Sequence, residues 1–578
     1  MASITAHRIP GRSGWSILLL AAAALMLHGL VLLNDGLYVD GWLYYVYLSE
    51  PRWNLLAELL AQQGIPQVII LFRFLSLFPD FLLAYKVVAF LSILASGLSI
   101  YAIARELHYL SRFESLFLAV FAMAFPAYQY AVEISHLWNV VPYALFYAGW
   151  YLAFRAARAA HERTALRHLT LRLGALLLLI ASFMNGALLV YTFGLLILYL
   201  HHVARMRRLP LRAIASHAVT RHADFLLLPF AFWLVASVSL SREGVFASYN
   251  QLSAGSLFSV GAWWQFARDG IFAQVGRSIR LLPVWPALLV LAGVLLLNAR
   301  CRLEARPLLG ARVPLKMMAA FGLALLLLAA LPFVAVGKLP EPYGFNTRVT
   351  LLTGLPVAIL SLAFFRATFS LGDRTVHRSG FLALTLLFTA FWLAQLDSYL
   401  VWQARWVKEQ SILAQLPSLD SLDDFDILYI DDRYLLRWPS GAAHPANQYV
   451  NLRYFQEWTA ATRHLFGPDQ SQAGIDIVYL EPAYAYYEWV MDLRAQTSPP
   501  AADLFFLAAV APGGCTATLV VEETETAANI SIVGLSRRYW QYRLLQPARL
   551  QPFLRSLTTL ELEPLAAGHA VDCEAMVP

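Results

Sequence analysis

Long apolar runs separated by short, arginine-bearing connections fill roughly the first 400 residues of the chain. The first run, Trp15 to Leu33, follows Arg8 and Arg12 and is long enough to span roughly 30 Å of hydrocarbon. It is followed by Asn34, Asp35, Gly36 and Leu37, with no small-residue cleavage site, so it reads as a retained first span and not as a signal peptide. Further apolar runs lie near residues 82–104, 115–132, 139–154, 172–184, 186–202, 224–240, 281–298, 317–337, 349–365 and 380–397. Together they predict about eleven transmembrane helices. Between two of the shorter runs, Asn185 and Gly186 make a tight break that suits either a hairpin or one interrupted helix.

Beyond about residue 410 the pattern changes to a two-residue period. Short β-branched stretches at 426–430, 475–480, 517–521 and 529–533 read as strands among helical and loop segments. The fold class expected is an all-α polytopic membrane domain, residues 1–405, followed by a mixed α/β domain, residues 406–578. A first connecting loop, residues 34–79, is much longer than a turn.

Composition supports this division. Apolar residues make up 59% of the chain and charged residues only 14%, with a mean hydropathy of +0.57, which excludes an ordinary soluble enzyme. The net charge of +6 sits largely in arginine clusters between spans, such as Arg155, Arg158, Arg163 and Arg167, or Arg205, Arg207, Arg208 and Arg212. That is the positive-inside bias of a cytoplasmic face and argues against nucleic acid as a partner. An odd number of spans starting inside puts the C-terminal domain outside, in a multi-pass protein of the cell membrane. Three cysteines supply no disulfide scaffold or zinc module, although Cys515 and Cys573 have the freedom to pair outside the cytoplasm. No GxxxxGK[ST] loop and no HExxH motif occurs, which removes support for a nucleotide site or an intramembrane protease.

The candidate chemistry gathers in the loops expected on the exterior face. Asp35 and Asp40 stand where the first span ends, followed by Trp42, Tyr44, Tyr45, Tyr47 and Trp53. Asp35 equally suits a helix terminus, and the aromatics an interfacial belt. Behind them, Trp53 to Gln63 and Val68 to Phe78 read as amphipathic segments lying on the bilayer. The second exterior loop holds Glu133 and His136, three apart and so on one face if helical, either lining a sugar pocket or simply satisfied at the interface. A late loop adds Lys338, Glu341, Tyr343 and Arg348; Arg348 suits a phosphate contact as well as a snorkelling span end. Asp431 and Asp432 follow a predicted strand and leave a divalent cation possible, although acidic loops at strand ends are usually just solvated. No metal ligands are assigned. The Asn529-Ile530-Ser531 triplet fits a glycosylation acceptor, but the dominance of arginine over lysine points to a GC-rich bacterial gene, where it carries no meaning.

The acidic first loop with interfacial segments behind it, about eleven spans and an exterior C-terminal domain together resemble the GT-C superfamily of membrane glycosyltransferases. These are the protein mannosyltransferase-like and aminoarabinose-transferase-like enzymes that use polyprenyl-phosphate sugars. The stretch Asn346-Thr347-Arg348-Val349-Thr350-Leu351-Leu352-Thr353-Gly354-Leu355-Pro356 is similar to their R-Y-x-L-P-x-x-P segment, with Val349 in the tyrosine position and the first proline absent. The resemblance implies a polyprenyl-phosphate sugar donor and an exterior glycan, lipid or protein acceptor. It implies a catalytic acid in the first loop, either Asp40 or Asp35, which stand five apart; Asp40, followed by Gly41 and the aromatic run, is favoured as the general base with Asp35 orienting the acceptor, and Arg348 falls in the matching late segment as the phosphate contact. Tyr343, Glu341, Lys338, Glu133 and His136 are the further candidate substrate-binding residues in the exterior loops. Two other classes compete. A transporter or flippase of lipid-linked sugars predicts ionisable residues inside the spans, where His28 and Lys86 are notable and Asp397 lies near an end. A non-catalytic envelope assembly protein predicts no dependence on Asp40.

Overall fold

The computed structural model describes residues 13–38, 41–49, 51, 53–162, 164–239, 251–282, 313–369, 374–419, 427–448, 476–479 and 516–564. Asp40, Cys515, Cys573 and the expected span at 281–298 beyond Leu282 lie outside the described residues.

The apolar runs fold into helices, in chain order α1 (Ser13–His28), α2 (Leu30–Leu33), α3 (Gly41–Ser49), α4 (Trp53–Gln62), α5 (Ile69–Leu75), α6 (Phe81–Leu107), α7 (Arg112–Ala124) and α8 (Leu137–His161). They continue with α9 (Ala165–Ser182), α10 (Ala187–Arg207), α11 (Leu211–Arg221), α12 (Ala223–Ser239), α13 (Ala254–Leu257), α14 (Val260–Ala267) and α15 (Ala273–Arg280). The last of the bundle are α16 (Leu315–Ala335), α17 (Gly354–Phe369) and α18 (Arg374–Gln415).

Among the described residues six stretches are long and apolar enough to cross a membrane: Phe81–Leu107, Ala165–Ser182, Ala187–Arg207, Leu315–Ala335, Asn346–Ala367 and Ala383–Ser418. A seventh is added if α11 and α12, bent by 63°, count as one. Of the eleven expected spans, the one at 281–298 lies almost wholly outside the described residues, and two others differ for local reasons. The run expected at 115–132 ends as a helix at Ala124, because Phe125 precedes Pro126 and is pushed to an extended ψ of 130°. The first run divides at Gly29 into a 16-residue helix and a single turn. The break at Asn185 is a hairpin between two of the six, α9 and α10, where the Asn185 side chain accepts from the Ala187 N–H at 3.1 Å.

Helix α18 sets the height of the molecule. Its 42 residues, at about 1.5 Å each, reach about 63 Å, twice the hydrocarbon thickness of roughly 30 Å. The division between residues 405 and 406 therefore falls inside one continuous helix.

The part of α18 beyond the bundle carries the C-terminal domain, whose four strands are β1 (Ile427–Asp432), β2 (Asp476–Tyr479), β3 (Thr516–Glu523) and β4 (Thr558–Pro564). Their order is β2-β1-β3-β4, with β1 parallel to both neighbours and β3 antiparallel to β4. Between β3 and β4 lie α19 (Glu525–Ala528), α20 (Ile532–Leu545) and α21 (Leu550–Arg555). The strand expected at 529–533 is thus a helix start: Ser531 accepts from the Gly534 N–H at 3.3 Å and caps α20, which outweighs the β-branched alternation. The sheet is pinned to α18 by buried charge. Lys408 pairs with Asp432 and donates to the Tyr434 carbonyl at 3.2 Å, while Arg405 meets Glu409 one turn on at 2.7 Å. Asp432, expected at a solvated strand end, is therefore spent on a buried lysine.

Removing one member of a buried pair leaves the other charge unmet, at a cost of about 3–5 kcal/mol. Lys408→Met is expected to lose that much stability, read as a lower melting temperature and faster proteolysis of the C-terminal domain. Lys408→Met with Asp432→Leu should recover most of it. Equal stability of the single and double variants would refute the pairing.

Candidate functional site

The first loop is short on backbone partners of its own, so side chains from other helices hold it. The Asn34 side chain accepts from the Gly36 N–H at 3.0 Å, and the Tyr38 hydroxyl lies 3.0 Å from Asn34 Oδ1 and 2.8 Å from the Trp402 carbonyl of α18. Lys86, buried on α6, donates to the Gly36 carbonyl at 3.3 Å and to the Val132 carbonyl. Glu133 is fully buried and takes the Tyr38 N–H at 3.1 Å on one oxygen and the Ser135 N–H at 3.1 Å on the other. Its carboxylate also abuts Gly41, the first residue of α3, where a Cβ would fall 2.7 Å from an oxygen. Only glycine fits there without displacing Glu133.

Asp35 points at the C-terminal domain. It accepts from the Tyr539 hydroxyl at 2.7 Å and from the Gln403 amide at 3.4 Å, and it pairs with the Arg543 guanidinium. Its carboxylate is engaged as an anchor between the first loop and α20. Tyr539, largely buried there and facing Asp35, has its hydroxyl pKa raised, by burial first.

His136 sits in a 3-10 turn before α8, and its tautomer is set by a chain of amides. The Ala187 N–H fixes Asn185, whose Nδ2 donates to Asn139 Oδ1 at 2.9 Å; Asn139 Nδ2 then donates to His136 Nδ1 at 3.0 Å. The proton is thereby placed on Nε2, which is buried with no hydrogen-bond partner among the described residues. Burial, followed by the nearby charge of Arg348, lowers the imidazole pKa to about 3. At neutral pH His136 is an uncharged donor beside an arginine.

Arg348 lies on a nine-residue 3-10 helix, Phe345–Thr353, unusually long for that geometry. A threonine ladder supports it. Thr347, Thr350 and Thr353 donate to the carbonyls of Gly344, Thr347 and Thr350 at 2.9, 2.7 and 2.5 Å. The T-x-x-T-x-x-T spacing in the sequence was the signal for it. Next, Gly354 starts α17 so close to α7 that a Cβ would fall 2.5 Å from the Ala122 carbonyl oxygen.

Of the other late-loop residues, Tyr343 belongs to a second cluster. Its buried hydroxyl donates to Asp397 Oδ2 at 3.1 Å, and burial pushes its pKa up. His444, from the C-terminal domain, takes the Ala446 N–H on Nδ1 at 3.1 Å and so donates from Nε2 to Asp397 Oδ1 at 3.1 Å. The Arg277 guanidinium lies 4.4 Å from the centre of the Tyr343 ring and donates to the Pro342 and Ala394 carbonyls, each at 3.0 Å. Glu341 offers its carbonyl to Gln274, and Lys338 ends α16 with its N–H on the Phe333 carbonyl at 2.9 Å.

The structure thus brings Asp35 and Glu133 together at the first loop, sets His136 three residues beyond Glu133 within electrostatic reach of Arg348, and puts Tyr343 in a polar network at the foot of the C-terminal domain. Sequence reading missed His444, Tyr539, Arg543 and Gln403, which carry no local motif. Among the described residues no group of three or more His, Cys, Asp or Glu side chains is arranged to hold a metal ion. Compared with known protein families and curated proteins, the chain matches none.

The histidine gives a signed pH prediction. The unfolded chain binds the His136 proton near pH 6.5 and the folded protein only near pH 3, so the unfolded state holds more protons in between and stability falls as pH drops through that window. The stability of wild type relative to His136→Gln should decline from about pH 6.5 to pH 4.5, by up to about 1.4 kcal/mol per pH unit. Parallel melting profiles for the two proteins would rule out a neutral, buried His136.

Proposed function

We propose that this protein is a membrane glycosyltransferase that moves a sugar from a polyprenyl-phosphate donor to an extracytoplasmic acceptor. The observation that carries the reading is the buried Nε2–H of His136, which has no hydrogen-bond partner among the described residues and lies within electrostatic reach of Arg348. A neutral N–H and a guanidinium, one held by a backbone-anchored amide chain and the other by a threonine ladder, suit the oxygens of a lipid phosphate. In the reaction, Asp40 takes the proton of the acceptor hydroxyl as its oxygen attacks the anomeric carbon. The bond from that carbon to the phosphate oxygen breaks, and the polyprenyl phosphate departs with the electron pair. Arg348 and His136 stabilise the charge that grows on it, and attack from the opposite face inverts the anomeric centre. Asp35, tied to Arg543 and Tyr539, positions the loop and does not act as base. The topology belonging to this reading has the N-terminus inside, an odd number of spans near eleven, and the C-terminal domain outside.

A carrier of lipid-linked sugars would draw on ionisable groups within the bundle. Both notable ones are occupied: His28 bonds Tyr399 at 2.7 Å and the Met123 carbonyl at 3.0 Å, and Lys86 is spent on loop carbonyls. That favours transfer over transport.

The test is transfer of label from polyprenyl-phosphate hexoses and pentoses to acceptors in membrane extract by protein in liposomes. Asp40→Asn should bind donor and transfer nothing, and Arg348→Ala should lose about 10²–10³ in rate. Label that crosses the bilayer without transfer, or equal behaviour of wild type and Asp40→Asn, would overturn the proposal.

A further inference from the structure

The edge of the C-terminal domain formed by α20 and α21 has an uneven charge. Between Thr526 and Leu560 the chain carries Arg537, Arg538, Arg543, Arg549 and Arg555 and no aspartate or glutamate. All five arginines are solvent-exposed. Helix α20 buries Leu535, Ser536 and Tyr539, with Tyr539 against Trp406 of α18, while its other side leaves apolar residues in the open. At its C-terminal end Leu544 is 68% exposed and Leu545 76%. Two adjacent leucines in water beside arginines are an amphipathic arrangement without an internal partner.

The height of this edge is fixed. Asp35 follows the last residue of α2, Leu33, by two positions, where the first apolar run ends. Tyr539 and Arg543 hold that carboxylate, so the C-terminal end of α20 lies beside the end of the first apolar run. Leu544 and Leu545 follow immediately.

We propose that the α20–α21 edge is a docking surface for anionic phospholipid, with Leu544 and Leu545 entering the interface and Arg537, Arg538 and Arg549 meeting headgroup phosphates. Basic residues beside an anionic leaflet are attracted within about one Debye length, and leucines set among them gain by leaving water. The surface makes the lipid a further tether for the domain, separate from the buried charges on α18 and from Asp35. It does not rest on the transferase reading.

The experiment uses full-length Leu545→Cys protein, with Cys301, Cys515 and Cys573 replaced by serine and a bimane label on residue 545. The protein is placed in nanodiscs of phosphatidylcholine alone or with added phosphatidylglycerol. Docking predicts a blue-shifted label, quenched by brominated acyl chains, in the anionic discs and reversal by high salt. Changing Arg537, Arg538 and Arg549 to glutamine should weaken docking about fivefold for each arginine removed. The comparison of two lipids uses one protein, so a folding defect cannot imitate the result. Water-exposed emission in both discs would overturn the proposal. So would protection by a soluble polyanionic polysaccharide and not by phosphatidylglycerol, which would assign the surface to a glycan.

Discussion

A charge taken out of water has to be met by another charge or by several dipoles, and this protein meets most of its buried charges across element boundaries. Lys86 of α6 is held by carbonyls of the first and second loops, Glu133 by amides of both, and Arg277 by carbonyls of the late loop and α18. Asp397 of α18 takes one donor from the late loop and one from the C-terminal domain. Each loop is fixed by a group it does not itself contain. Displacing any of them strands a charge, so the loops, the long helix and the C-terminal domain hold one another in place.

That economy also fixes the electrostatics of the phosphate-binding candidates. An arginine next to a second cation would repel it; a histidine kept neutral adds a donor without adding charge. The order of the amides matters as much as their presence, because reversing Asn139 would put an acceptor against His136 Nδ1 and move the proton from Nε2 to Nδ1. Asn139 on α8 and Asn185 just before α10 therefore decide which nitrogen of His136 carries the proton.

What the sequence conveys, it conveys through period and local chemistry. The apolar runs at 82–104 and 317–337 become helices, the interfacial segments at 53–63 and 68–78 fold as α4 and α5, and three of four predicted strands lie in the sheet. The misread strand at 529–533 had the β-branched alternation right and the capping serine undervalued. β4 was not among the predicted strands, although Leu560-Glu561-Leu562-Glu563 alternates apolar and polar strictly. The site was legible only by halves. Acids in the first loop and an arginine in a late one can be found by inspection, but Tyr539 lies 504 positions from the Asp35 it holds, and His444 reaches Asp397 across 47. No pattern in a single chain joins residues so far apart; only the packing of α18 does.

The contact between Gly41 and Glu133 has a meaning for evolution. The absent side chain at one position makes room for the carboxylate at the other, so the two share a single small volume. In divergent descendants of this gene they should change together: an alanine or serine at 41 should accompany a residue shorter than glutamate at 133. A lineage that keeps both has kept the joint between its first two loops, whatever else it has altered.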